Sequence, residues 1–317
     1  MTPTHWSAAV VAVPVLFVVG GLLAVQTAAN VQLSTALGSP MAASTLQLAI
    51  GATLFLAVAL AVGTIGAIHL VPDVTPWHLA GGVASALYVS AGILLLPRLG
   101  AVVTVGMLIT GQMLASLLLD AHGLLGVAAR HVGLETAVGL AGVLLGAALI
   151  VRAQGGTDAV RRGGAGRLPW LLLAVVAGAC LPVQGAINAQ LRLDLQAPFT
   201  AGFFSFTVAT AAATLVLLLR QTITGAPPPA LARLRGVPWW GWAGGFAGAT
   251  YVISVFLLIP VIGAAPTVAL TVGGQQVASI AVDSRGLLRL PRRPITGARL
   301  TGAAVLLAGV GLLQVVR

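Results

Sequence analysis

Gly20 to Leu33 reads GGLLAVQTAANVQL, and Gly178 to Leu191 reads GACLPVQGAINAQL. Gln26, Asn30, Gln32 and Leu33 recur as Gln184, Asn188, Gln190 and Leu191, every pair 158 positions apart. In each copy an amide follows a strongly apolar run, and a second amide comes four residues later. On a helix, positions i and i+4 share a face, so Gln26 projects with Asn30 and Gln184 with Asn188. An amide facing hydrocarbon is costly, so this stripe is expected to face protein or water.

Composition says what solvent surrounds the stripe. Hydrophobic residues make up 58% of the 317 positions and charged residues only 7%. A soluble domain carries roughly 25% charged residues. Many apolar runs approach the roughly 20 residues that span a bilayer. The chain therefore reads as a polytopic inner-membrane protein. Its net charge of +10 comes entirely from arginine, which sets orientation and meets anionic headgroups rather than nucleic acid. Lysine is absent, which excludes Schiff-base chemistry. The single cysteine, Cys180, excludes an intramolecular disulfide. MTPTHW lacks the basic segment of a secretory signal, so the first apolar run reads as a retained helix.

Ten apolar segments are expected, at 7–30, 41–63, 77–96, 100–119, 133–152, 168–190, 198–219, 239–259, 263–282 and 297–315. Proline, glycine and charge clusters punctuate them. The duplication extends past its signature. Trp77, Tyr88, Pro97, Gly100, Gly111, Gln112, Ser116, Asp120 and Gly123 match Trp240, Tyr251, Pro260, Gly263, Gly274, Gln275, Ser279, Asp283 and Gly286, all 163 apart. The expected organisation is a first five-helix repeat over 1–152, a cytoplasmic linker over 153–167 and a second repeat over 168–317. An odd number of crossings returns the chain on the opposite side, so the second repeat must be inverted. The fold class is an all-α membrane protein of ten transmembrane helices in two inverted five-helix repeats.

Arginines orient it. The loops after helices 1, 3, 5, 7 and 9 collect thirteen, from Arg98 to Arg299, whereas the other side holds only Arg130, Arg192 and Arg317. The positive-inside rule makes the richer side cytoplasmic, with both termini outside.

The amide stripes of Gln26, Asn30, Gln184 and Asn188 are candidates for binding substrate; bonding between helices is the alternative, worth about 0.6 to 2 kcal/mol per amide in bilayers. The first cluster should lie toward the cytoplasm and the second toward the exterior, which suits two gates of one path. Gln112 with Ser116, and Gln275 with Ser279, form a second i, i+4 stripe and are candidates for a central site. Asp120 and Asp283 close helices 4 and 9, where capping or pairing with Arg130 or Arg285 competes with ion coupling. Glu135 opens helix 5, where the helix dipole alone favours an acid; proton coupling is the other reading. No carboxylate lies in the centre of a segment, which argues against a tightly held bare cation. The histidines, His78 among them, fall at helix ends or loops without metal spacing, as headgroup-level residues do. Gly142 and Gly146 permit a close helix contact, either between the halves or between subunits.

A duplicated five-helix unit with Gln-x3-Asn-x2-Leu on its first helix resembles the drug/metabolite transporter superfamily, and within it the YdcZ-like family of bacterial inner-membrane exporters. The likeness rests on Gln26, Asn30, Leu33 and Pro40, on Gln184, Asn188, Leu191 and Pro198, and on the Gly-Gln pairs at 111–112 and 274–275. It implies a ten-helix alternating-access fold. The first helix lacks the glutamate of the small multidrug members, which argues against proton-driven export of cationic drugs.

The expected function is a secondary transporter, an exporter of a small polar metabolite or an amphiphile; uptake fits the same residues. The alternative is a flippase for a lipid or lipid-linked carrier. An enzyme is not expected, because there is no paired mid-helix aspartate, no aspartate-rich prenyl-diphosphate motif and no metal cluster. No catalytic residue, metal or cofactor is called for. The partners are substrate and membrane lipid, not nucleic acid, around a monomer or homodimer.

Overall fold

The computed structural model describes residues 3–127, 129, 133–153, 164–262 and 264–315. Among them are ten α-helices and no strand: α1 (Pro3–Leu37), α2 (Pro40–Val62), α3 (Gly81–Leu99), α4 (Ala101–His122), α5 (Leu134–Ala153), α6 (Gly164–Leu195), α7 (Pro198–Thr224), α8 (Ala243–Ile262), α9 (Ala264–Arg285) and α10 (Gly297–Val315). Seven of these, α1 to α7, are long and apolar enough to cross a membrane within the described residues. Most of the expected linker, from 154 to 163, lies outside the described residues, as does Arg130.

Local chemistry sets the helix boundaries. Gly38 adopts φ 67° after α1, a left-handed turn that a Cβ disfavours. Ser39 then caps α2, its Oγ accepting from the Ala42 amide at 3.3 Å, with Pro40 in the first turn. The repeat's second proline, Pro198, likewise stands in the first turn of α7, but the residue before it, Ala197, offers no side-chain cap. Helices 3 and 8 begin four residues later than the apolar pattern suggests. The residues Pro76–Ala80 and Trp239–Trp242 form 3-10 turns before them, each led by a proline whose fixed φ delays regular α-helix.

The helices pack in a pattern that recurs when each of α1 to α5 is exchanged with its counterpart among α6 to α10. The contact of α1 with α9 corresponds to that of α6 with α4, and α1 with α8 to α6 with α3. α2 lies against α7 and α5 against α10. The same exchange holds atom by atom. A Cβ on Gly20 would overlap the Thr271 backbone, and one on Gly178 would overlap that of Leu108. Gly111 lies against the carbonyl of Val175, as Gly274 does against that of Phe17. Membrane helices gain little from a hydrophobic effect against one another, so close approach at small residues supplies the attraction. Gly142 and Gly146 meet Gly309 and Leu306, joining α5 to α10 within one chain.

The two ends of the bundle differ. At the arginine-rich end, the Leu37 carbonyl accepts from Ala230 N (3.1 Å), Gln32 Nε2 donates to Leu288 O (2.9 Å), and Arg293 Nη2 donates to Pro97 O (3.3 Å). At the opposite end Thr200 Oγ1 donates to Thr64 O (2.8 Å), and His78 pairs with Asp194. His78 is thus corrected from a headgroup-level residue to a buried, paired one. It turns inward because the 3-10 turn packs against α6 and α7.

Candidate functional site: an uncharged cavity shared by six helices

Gln26 and Gln184 project from α1 and α6 into one small cavity of about 30 Å³, completed by residues of α2, α3, α7 and α8. Its polar lining is Gln26, Gln47, Ser85, Tyr88, Gln184 and Tyr251, with Phe206 and aliphatic side chains between them; none of its lining residues is charged. The lining obeys the sequence repeat. Leu23 corresponds to Leu181, Gln26 to Gln184 and Leu48 to Phe206 at a spacing of 158, while Ser85 and Gly248, Tyr88 and Tyr251, Val89 and Val252 correspond at 163. Only Gln47 has no counterpart in the wall, so each half contributes a matching set. The volume holds about two water molecules, far less than a metabolite.

The wall carries unmet hydrogen-bonding capacity. Gln26 Oε1, Gln47 Nε2 and Ser85 Oγ are buried without a protein partner. An unsatisfied buried polar atom costs about 1 to 3 kcal/mol, so three around one cavity call for a ligand or water. Tyr251 hydrogen-bonds with Thr271 on α9.

The second amides of the signature lie one turn further along α1 and α6. Asn30 Nδ2 donates to Gln47 Oε1, and the Asn30 amide lies against Gly244 at the start of α8. Asn188 lies against Gly81 at the start of α3. In both places a Cβ would overlap the amide oxygen, so glycine is required for the helix to approach. Asn30 therefore sits toward the arginine-rich end and Asn188 toward the other. Their oxygens, Asn30 Oδ1 and Asn188 Oδ1, are also buried without partners.

The second stripe does not join this cavity. Gln112, Gln275 and Ser279 are buried and Ser116 is half-buried, but none of the four lines it. Ser279 Oγ donates to Gln276 O at 2.7 Å, a bond within its own helix. Gln112 and Gln275 follow the glycines that bring α4 against α6 and α9 against α1.

The carboxylates lie at the periphery. Asp283, 2% exposed, accepts from the amides of Ala101 (2.9 Å) and Val102 (3.2 Å) and from Arg299 Nη2 (2.6 Å). It therefore caps α4, as a carboxylate at a helix N-terminus does, and its arginine partner is Arg299 rather than Arg285. The partner is on α10 because the chain after α9 folds back over the end of α9, with Arg293 N donating to Asp283 O at 2.7 Å. Three donors occupy the Asp283 carboxylate, away from the cavity. Glu135 is exposed in the first turn of α5. The side chain of Asp120 lies outside the described residues. Among the described residues no group of three His, Cys, Asp or Glu could hold a metal ion.

Gln47, Ser85 and the tyrosine pair were not singled out as site residues from the sequence. Tyr88 and Tyr251 were legible as a repeated pair, and a repeated aromatic in a helix centre was the available signal. Gln47 carries a weaker one, since its counterpart Ser205 is also polar and also buried without a partner.

The comparisons with known proteins agree with this architecture. The profile of a family described as "Putative inner membrane exporter, YdcZ" matches residues 11–149 and again 169–312. No curated protein matches the chain. A solved crystal structure, 21% identical, aligns with a TM-score of 0.54 over 95% of this chain and 99% of its own, and is similar in fold.

Proposed function

The chain belongs to the YdcZ family of inner-membrane exporters, and from that premise we propose that it is a ten-span secondary transporter whose substrate binds in the cavity between Gln26 and Gln184. In this reading residues 1–152 and 168–317 are two oppositely oriented repeats, joined by a cytoplasmic linker at 153–167. They rock about the cavity, so that it opens to one compartment and then the other. The family matching twice, once in each half, supports the repeat. The helix contacts that survive exchange of the halves support a two-fold relation between them, and five helices per half support its inversion.

The observation that carries the proposal is the cavity wall: matching residues from both halves, no charge, and three buried polar atoms without partners. An uncharged wall in which amides and phenols alternate with aliphatic side chains suits a small polar metabolite or an amphiphile, exported from the cytoplasm. The cavity's small volume then corresponds to the occluded stage of the cycle, with Asn30 and Asn188 closing its two sides. Gln112, Ser116, Gln275 and Ser279 support the rocking helices from behind. Coupling to an ion through Glu135 or Asp120 remains part of the proposal; Asp283 is held as a cap. The arginine count supports the termini outside.

One feature favours the second reading, a lipid flippase. A groove of about 580 Å³ between α2 and α7 is lined by Ala49, Ala52, Thr53, Thr207, Thr210 and neighbours. Thr53 and Thr210 bond back to their own helices, leaving an apolar surface suited to acyl tails.

A thermal-shift screen of purified protein against soluble metabolites and lipids tests both. Hits should vanish in Gln26→Leu/Gln184→Leu while the parent fold persists. Hits that survive that double change would remove the cavity from the mechanism, and hits confined to lipids would favour the flippase.

A further inference from the structure

The repeat is broken at a titratable contact on the end away from the arginines. His78 Nδ1 and Asp194 Oδ2 form a pair between the turn leading into α3 and the last turn of α6. The corresponding positions, 163 and 158 away, are Gly241 and Ala36, which carry no proton. One end of the bundle is therefore tied by an ionisable pair, and the same place at the arginine-rich end is not.

The pair spans the two halves where an opening must occur. His78 belongs to the first half and Asp194 to the second. Three residues beyond His78, Gly81 lies against Asn188, which closes the cavity on that side. The His78 ring is buried, its side chain 11% exposed, and the Trp77 ring meets it edge-on at 4.1 Å. Asp194 is 31% exposed, so solvent at that end reaches the carboxylate. An acid in the last turn of a helix meets the negative end of the helix dipole, so its placement calls for a cation. Of the elements packed on the turn, α6 presents Asp194 and, two residues before it, Arg192; the first turns of α3 and α7 present no ionisable group, and the neighbouring 65–73 segment carries His69 and Asp73.

Resting on the transporter reading above, we propose that His78 and Asp194 bind a proton from the compartment at their end and form a latch that holds that side of the path shut. Uptake of one proton turns a neutral imidazole beside a carboxylate into an imidazolium–carboxylate pair, with no other bond changed. Imidazole is the side chain that makes this change between pH 5 and 8. The imidazolium adds an attraction between opposite charges that the neutral ring lacks, so acid favours the closed side. Closure at the arginine-rich end, made without a histidine at the matching position, does not follow the proton in the same way. The two gates thus respond unequally to pH, and acidification at the His78 end slows opening toward it.

The test uses the full chain in membrane vesicles, carrying Cys180→Ala and one added thiol, Ser85→Cys in the cavity wall or Gly66→Cys as an exposed reference. Gly66 has open space around a Cβ, so the reference is structurally silent. The probe is a membrane-impermeant sulfonated maleimide, applied to vesicles in which the position-66 thiol faces out. The rate at position 85 relative to position 66 should fall about fivefold between pH 7.5 and 5.5, the ratio expected for about 1 kcal/mol. His78→Gln and, independently, Asp194→Asn should flatten that change to less than about twofold. An unchanged ratio in the parent, or the same fall in either variant, overturns the latch. If position 85 is unreactive from both vesicle orientations at every pH, the transporter reading itself fails, and the latch with it.

Discussion

Replacing Asp283 by alanine should destabilise the protein more than almost any other single change outside the helix interfaces. The carboxylate satisfies two amides at the start of α4, Ala101 N at 2.9 Å and Val102 N at 3.2 Å, and the guanidinium of Arg299 at 2.6 Å. Both charged side chains are buried, 3% exposed for Asp283 and 5% for Arg299. Breaking a buried pair by removing one partner costs about 3 to 5 kcal/mol, because the other charge is stranded. Losing the cap adds about 1 kcal/mol. The expected loss is therefore about 4 to 6 kcal/mol. Asp283→Ala/Arg299→Met removes the stranded charge as well and should retain only the cap loss, leaving a coupling of at least about 2 kcal/mol. Reversible denaturant unfolding of the purified protein in mixed micelles, followed by helical circular dichroism, reads these differences. An Asp283→Ala protein within about 1 kcal/mol of the parent, or a double variant as unstable as the sum of the singles, would refute the assignment of this carboxylate as cap and counter-ion.

Three further outcomes are expected. Gly20→Val and Gly178→Val should each prevent stable accumulation in the membrane, since a Cβ at either site overlaps backbone of α9 or α4, whereas Gly185→Ala, with open space, should be tolerated; yield and monodispersity on gel filtration check this. Gln47→Leu removes the acceptor of Asn30 Nδ2 and should cost about 1 to 3 kcal/mol in the same unfolding assay, with no loss if the contact is idle. The orientation drawn from the arginines predicts that a Gly66→Cys thiol reacts with an impermeant maleimide in intact cells and a Gly236→Cys thiol only after permeabilisation. The reverse pattern would turn the protein over.

The sequence was decisive wherever the physics is local or repeated. Low charge and long apolar runs fix the solvent, because hydrocarbon admits little else. Ser39-Pro40 and Pro198 start helices whatever surrounds them. The 158 spacing singles out Gln26 and Gln184 before any coordinates exist, and the 163 spacing marks Tyr88 and Tyr251 only as a repeated pair, since a duplication preserves its own register. Tertiary structure alone decided which repeated polar residues share a cavity. Gln26 and Gln112 look equivalent along the chain, both amides near the middle of apolar helices. They part company because α1 and α6 approach α8 and α3 through Gly244 and Gly81, whereas the glycines beside Gln112 and Gln275 press α4 and α9 against the backs of α6 and α1. His78 and Asp194, 116 residues apart, have no counterpart in the repeat, and nothing in their local sequence links them. Only the packing of the turn before α3 on α6 brings that proton-carrying pair into contact.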